Sequence, residues 1–209
     1  METTKYRLKE KTYNANPNEL LTGLVRESRI VAVYGSPLSR KVGLEIANSI
    51  VAKQDFMNYK CQPNEYYLQH VSERHPESVE DDLDEFATRT GVSREAMIFT
   101  YSDILSDFET VERFVDAIKE EDINGKPLIL FEGVHKFEKG DASAIFDMIH
   151  ELDATVILTN DSNNPPDQFK FHADTLIRVD SEHTVHVERA LGQDSKNEFM
   201  FLSSHEVLH

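Results

Sequence analysis

The chain has little positive charge, one cysteine and no long apolar run, and each shortage closes off a class of function. Its 209 residues carry 22 lysines and arginines against 38 acids, a formal net charge of -16 at pH 7. So acidic a surface cannot coat itself in nucleic acid by general attraction, because neutralisation of phosphates by Lys and Arg supplies most non-specific affinity. The single cysteine, Cys61, excludes an internal disulfide and a CxxC metal site. No apolar stretch approaches the ~20 residues that a membrane span requires. No signal-peptide pattern opens the chain, so a cytoplasmic protein with no membrane partner is expected. The nine histidines show no HxxxH or HxH pairing. His183 and His186, three apart in an expected strand, face opposite sides, and scattered surface histidines are expected rather than a metal site. The acidic balance also suits concentrated salt, where electrostatic screening shrinks to a few ångströms, although lysines remain more frequent than extreme adaptation would leave.

The length allows one sizeable α/β domain or two very small ones, and no break in composition argues for two. The expected organisation is an N-terminal arm over residues 1–17 and a single domain over 18–209. The arm alternates Lys5, Arg7, Lys9 and Lys11 with Tyr6, Leu8 and Glu10, the one positive cluster of the chain. A solvated tail, an edge strand and a binding arm all fit it.

The pattern that follows alternates strands and helices. Residues 18–24 read as a short helical piece, and 30–34 as a continuous apolar strand buried on both faces. A loop over 35–40 leads to a helix from Lys41, where Val42, Leu44, Ile46, Ala47, Ile50 and Val51 recur at helical spacing. A strand near 65–70 precedes a helix over 79–90 that Gly91 stops. A strand at 96–101 precedes a helix capped by Asp107, with Val111, Phe114, Val115 and Ile118 on one face. The Asn124-Gly125 turn leads to the most apolar strand, 127–134, expected at the centre of the sheet. A helix over 142–152, a strand over 154–160 and a loop over 161–168 complete the alternation. Three strands then follow in succession, 175–179, 184–189 and 198–202, joined by short polar turns. This order predicts an α/β fold whose mainly parallel sheet, flanked by helices, is extended by C-terminal antiparallel strands.

The segment from Arg29 to Gly43 has the layout of a phosphate-binding loop, G-x-x-x-x-G-K-[ST], between a buried strand and a helix. Gly35 and Lys41 stand at the first Gly and the Lys, while Arg40 replaces the second Gly and Val42 replaces the hydroxyl residue that would hold Mg²⁺. Arg40 brings a Cβ where close backbone approach is needed, yet its guanidinium adds positive charge, and Lys41 still reaches toward a β- or γ-phosphate. The candidate nucleotide-binding set is Gly35, Ser36, Ser39, Arg40, Lys41 and Val42. Weak ATP or ADP binding without metal-assisted hydrolysis and an empty loop both fit this set; no cofactor is certain.

With these motifs in this order, the chain resembles the ATPase core shared by RecA, archaeal RadA and RadB recombinases and KaiC-like proteins. The resemblance runs from about Asn18 to the C-terminus. The strand ending in Glu132 is similar to the family's hydrophobic strand that closes on an acidic, metal-associated residue (Walker B). Thr159-Asn160-Asp161 resembles the Thr-Asn-Gln that senses the γ-phosphate, with Asp in place of Gln. The run from Phe169 to Arg178 resembles the His-Ala-x-x-x-x-x-Arg pattern that follows the DNA-binding loop. The place of the catalytic glutamate is taken by residues 69–74, where Glu73 comes later than expected. The loop corresponding to the DNA-binding one, 161–168, has no basic residue and two acids, so DNA binding is expected to be weak if it occurs.

The resemblance therefore implies a RecA-fold paralogue without catalytic residues or ATPase activity. Its partner would be an active recombinase or related ATPase, in DNA recombination and repair or its regulation, since RecA-type subunits stack head to tail. A KaiC-like regulatory module with no DNA role is the alternative. A small P-loop kinase is the third, because Ile129 to His135 also resembles the Leu-Glu-Gly strand end of uridine kinase relatives; such an enzyme needs an intact Gly-Lys-Ser/Thr and an arginine-rich lid, and neither is present. The arm has no aromatic-x-x-Ala tether, so no self-filament is expected.

Overall fold

In the computed structural model, the described residues are 18–63, 65–72, 74–101, 116, 118–120, 125–135, 139–181, 184–190 and 197–200. The arm, Glu73, Asp107, Asn124, His183 and most of the helix expected after Asp107 lie outside them; Asp116 and residues 118–120 are helical.

An eight-stranded sheet in the order β10-β9-β8-β3-β7-β6-β4-β5 organises the chain. Its strands are β3 (Ile30–Gly35), β4 (Tyr66–Ser72), β5 (Met97–Tyr101), β6 (Lys126–Glu132), β7 (Thr155–Asn160), β8 (Thr175–Val179), β9 (Thr184–Arg189) and β10 (Asn197–Met200). β8, β3, β7, β6, β4 and β5 run parallel, and β9 and β10 extend the β8 side antiparallel. Helices α1 (Leu38–Val51) and α2 (Pro76–Thr90) and helices α3 (Lys139–Leu152) and α4 (Asp167–His172) complete the layers.

The uninterrupted apolar strands follow from coverage of both faces. In β3, Val31 and Val33 belong to the same buried cluster as Val42 and Ile46 of α1 and Leu83 of α2, while Ile30, Ala32 and Tyr34 belong to the other, with Ile145 and Ile149 of α3 and Phe169 of α4. A period of two thus sorts one strand into two cores. α1 lies hard on the sheet, because a Cβ at Gly43 would sit 2.3 Å from Thr159 Cγ2. α2 ends as its sequence predicts, with Gly91 left-handed at φ 73° and its N–H on the Ala87 carbonyl.

Four expectations are corrected. Residues 18–24 are not helical: β1 (Glu19–Leu21) and β2 (Val25–Arg26) form a small hairpin about a turn at Gly23, φ 78°. Leu20, Leu21, Leu24 and Val25 are all buried, a spacing that fits a helical face as well as a hairpin; the left-handed Gly23 and the pairing of Glu19 with Arg26 and of Leu21 with Val25 decide for the hairpin. β6 is interior, between β7 and β4, but the middle pair of the sheet is β3 and β7, because β8 to β10 add three strands on one side. The turn after β3 is shorter than expected, since α1 begins at Leu38 rather than Lys41. Finally, residues 167–172 form a helix where a loop end and strand approach were expected; Pro166 precedes it, Asp167 opens its first turn and Phe169 anchors it in the core.

Candidate functional site

The carboxyl ends of β3, β4, β6 and β7 converge where open α/β sheets place their ligands. The connection from β3 to α1 crosses this edge in two residues, Ser36 and Pro37. A phosphate cradle needs several backbone N–H groups turned into one concavity. Here Pro37 has no N–H to offer, the Ser36 N–H donates to the Val179 carbonyl at 2.8 Å, and the Ser39 N–H donates to the Ser36 carbonyl at 2.9 Å. Gly35, at φ 125°, lies so close to β8 that an added Cβ would stand 2.1 Å from the Val179 oxygen. Both hydroxyls also point into the protein: Ser36 Oγ donates to the Asp180 carbonyl at 3.0 Å and Ser39 Oγ to the Asn160 carbonyl at 2.8 Å. Val42 is wholly buried in the core.

The charged members of the motif stand in the first turn of α1, which has neither a side-chain cap nor an acidic residue. Arg40 lies against the backbone of Gly133, whose absent Cβ leaves room for the guanidinium, and pairs with Asp161 at 2.7 Å. Lys41 is half-buried and makes no ion pair among the described residues.

Glu132 and its neighbours form a buried polar cluster. The carboxylate accepts from His70 Nε2 at 2.7 Å and from Arg74 at 3.4 Å, and Arg74 also holds Asp82 at 2.8 Å. His70 and Glu132 are 0% and 4% exposed. Burial raises the carboxyl's affinity for a proton, but the His70 hydrogen bond and the charges of His70, Arg74 and Arg40 outweigh it and hold Glu132 below the ordinary carboxylate range. His70 thus departs from the expected scatter of surface histidines: the register of β4 against β6 places it beside Leu130, inside the sheet.

Thr159 and Asn160, the sensor-like pair, tie β7 to the segment after β6. Thr159 Oγ1 accepts from the Gly133 N–H at 2.9 Å, and the Thr159 carbonyl accepts from the Val134 N–H at 2.7 Å. Asn160 Nδ2 donates to the Val134 carbonyl and its Oδ1 accepts from the Ser162 N–H at 2.8 Å. His172 meets Gln168 within α4, and Arg178 pairs with Glu188 across β8 and β9.

Between α1 and α2 runs a cleft of about 350 Å³, its floor formed by Arg74 and Glu132. Lys41, Leu44, Glu45 and Asn48 line it from α1, and Asp82, Glu85, Phe86 and Arg89 from α2. Arg89 spans the cleft to Glu45 at 3.0 Å. Sequence reasoning missed His70, Arg74 and Asn48; for the first, a histidine standing between Leu68 and Val71 in an expected buried strand was the available signal.

No family model and no curated protein matches the chain. Among solved structures, a KaiC-like protein from the hyperthermophilic archaeon Pyrococcus horikoshii is similar, with a TM-score of 0.55 over 88% of this chain and 89% of that one, at 13% identity. At that identity the likeness is one of fold, and the architecture here is RecA-like: a mostly parallel sheet flanked by helices, with antiparallel C-terminal strands. Among the described residues, no helix is long and apolar enough to cross a membrane.

Proposed function

We propose that this chain is a RecA-fold module that does not hydrolyse nucleotide and works by binding a protein partner, another RecA-fold ATPase, in DNA recombination and repair or its regulation. The observation that carries the reading is the closed turn after β3, whose Ser36 N–H is spent on Val179 and whose helix begins at Leu38. The groups that would act on a γ-phosphate are also engaged elsewhere: Val42 is core, Thr159 and Asn160 hold the backbone after β6, and Glu132 is held by His70 and Arg74. Loss of one such group lowers a phosphoryl-transfer rate by orders of magnitude.

Exposed Phe171 and Phe146, 73% and 44% accessible on α4 and α3, give the surface apolar area of the kind partners bury. A KaiC-like regulatory role without DNA is favoured by one further feature, the 161–168 loop, which lacks any basic residue.

Isothermal titration with ATP and ADP, with and without Mg²⁺, together with a phosphate-release assay, tests the first half. Neither millimolar-range saturation dependent on Mg²⁺ nor turnover is expected. Micromolar, Mg²⁺-dependent ATP binding abolished in Lys41→Ala would overturn it. Cross-linking in the source cells, with identification of the adducts, tests the second half: a RecA-fold ATPase is expected among them, and its absence from an otherwise productive experiment counts against the partner class.

A further inference from the structure

We infer that the cleft between α1 and α2 binds an organic monophosphate that carries an N–H donor at the end away from its phosphate. This goes beyond the partner-binding reading and does not depend on it.

Two polar groups of the cleft, on Asn48 and Lys41, are left for a ligand to meet; a third, Arg40 Nε, is unpartnered but belongs to a guanidinium already paired with Asp161. Asn48 is 2% exposed, and its Oδ1 has no hydrogen-bond partner among the described residues. A buried, unsatisfied acceptor costs about 1–3 kcal/mol, and a leucine would fill a helix position between two apolar layers without that cost. Lys41 is the second: the cleft's guanidiniums are all paired, Arg40 with Asp161, Arg74 with Asp82 and Glu132, and Arg89 with Glu45, whereas Lys41 has no ion pair among the described residues. Lys41 and Asn48 are seven residues apart on one face of α1, which at the rise of an α-helix is about 10 Å. A complementary ligand therefore has an anion at one end, a donor at the other, and a body lying along Leu44.

The anion falls at the first turn of α1, where the helix field favours negative charge and a doubly charged phosphate gains more than a carboxylate. Only one phosphate is accommodated well. Glu45, Asp82, Glu85 and Glu132 also line the cleft, so each further phosphate meets carboxylates. The preference is thus the reverse of that of a phosphate-binding loop: monophosphate over triphosphate, with no gain from Mg²⁺.

The test is titration of the intact chain with AMP, which has an exocyclic amine, with purine riboside 5′-monophosphate, which lacks it, and with ATP and inorganic phosphate. Expected results are saturable AMP binding, about tenfold weaker binding of the amine-free analogue, weaker ATP binding, and loss of AMP binding in Lys41→Ala. In Asn48→Leu, AMP should fall to the level of the analogue while the analogue itself is unchanged, so the two changes are not additive. That variant's Tm should not fall, which separates a lost contact from a damaged fold. Absence of AMP binding at millimolar concentration overturns the inference and leaves the partner-binding reading standing. Equal affinity for AMP and inorganic phosphate, or equal sensitivity of both nucleotides to Asn48→Leu, means an adventitious ion only and also overturns it. ATP·Mg²⁺ binding tighter than AMP would place the ligand in the β3–α1 turn and sink both proposals.

Discussion

Replacing His70 by Phe isolates the buried pair at the end of β4 and β6. The substitution leaves Glu132, 4% exposed, without the imidazole that donates to it at 2.7 Å. Removing the hydrogen-bond partner of a buried carboxylate costs up to about 3–5 kcal/mol, because the survivor stays desolvated. The lower end is expected here, since Arg74 remains as a half-exposed second partner at 3.4 Å. About 3 kcal/mol is a large share of the 5–15 kcal/mol that holds a domain together. Urea denaturation at pH 7 should show a lower midpoint at unchanged slope. The pH dependence sharpens the test. In the native chain Glu132 has a depressed affinity for protons, so its stabilisation is complete above the unfolded carboxyl's pKa of about 4.3 and is lost as pH falls through the lower folded value. In His70→Phe, burial acts with less opposition and the carboxyl binds its proton more readily, so the gap between the two proteins should narrow as pH falls from 7 toward 4. The double variant His70→Phe, Glu132→Leu should recover most of the loss. A single variant as stable as the parent at pH 7, or a gap that widens in acid, would refute the reasoning.

Three other perturbations have defined outcomes. Gly35→Ala combines a φ of 125° with a 2.1 Å approach to the Val179 oxygen, and should destabilise by several kcal/mol or abolish soluble expression, read by thermal denaturation. Thr159→Val keeps the shape but removes the acceptor for the buried Gly133 N–H, for an expected loss of about 1–3 kcal/mol in the same assay. The Cys61 thiol, pushed up to about 11 by burial and then by the charge of Asp55, against Lys53, should react with a disulfide reagent at pH 7 about two orders of magnitude more slowly than the same thiol in urea; equal rates would contradict its burial.

The parallel sheet was legible because strands such as β3 and β6 are apolar on both faces, which only a doubly covered sheet allows. The hairpin at 18–26 was hidden because four buried apolar residues in six satisfy a helical pattern as readily as two short strands. The phosphate-loop spacing was legible too, but spacing counts residues and not donors. Whether those N–H groups face outward depends on β8, more than 140 residues later, whose Val179 carbonyl takes the Ser36 amide. His70 was misplaced for a related reason: its environment is set by Glu132 on the adjacent strand, and pairing of distant strands leaves no local periodic trace.

The uncapped beginning of α1 also sets how protection is graded along that helix. Its first turn has no side-chain cap and no acid, and carries Arg40 and Lys41 at the positive pole of the helix. Directly after it, Val42, Gly43, Ile46 and Ala47 are sealed in the core. Amide exchange along this one helix should therefore be graded, faster at Leu38, Arg40 and Lys41 than from Ile46 to Ile50, where release requires the sheet face itself to part, with Ser39, held to Ser36 and Asn160, protected within the first turn. The segment that a nucleotide would order in a working ATPase is here held by the protein's own carbonyls, at Ser36, Asn160 and Val179.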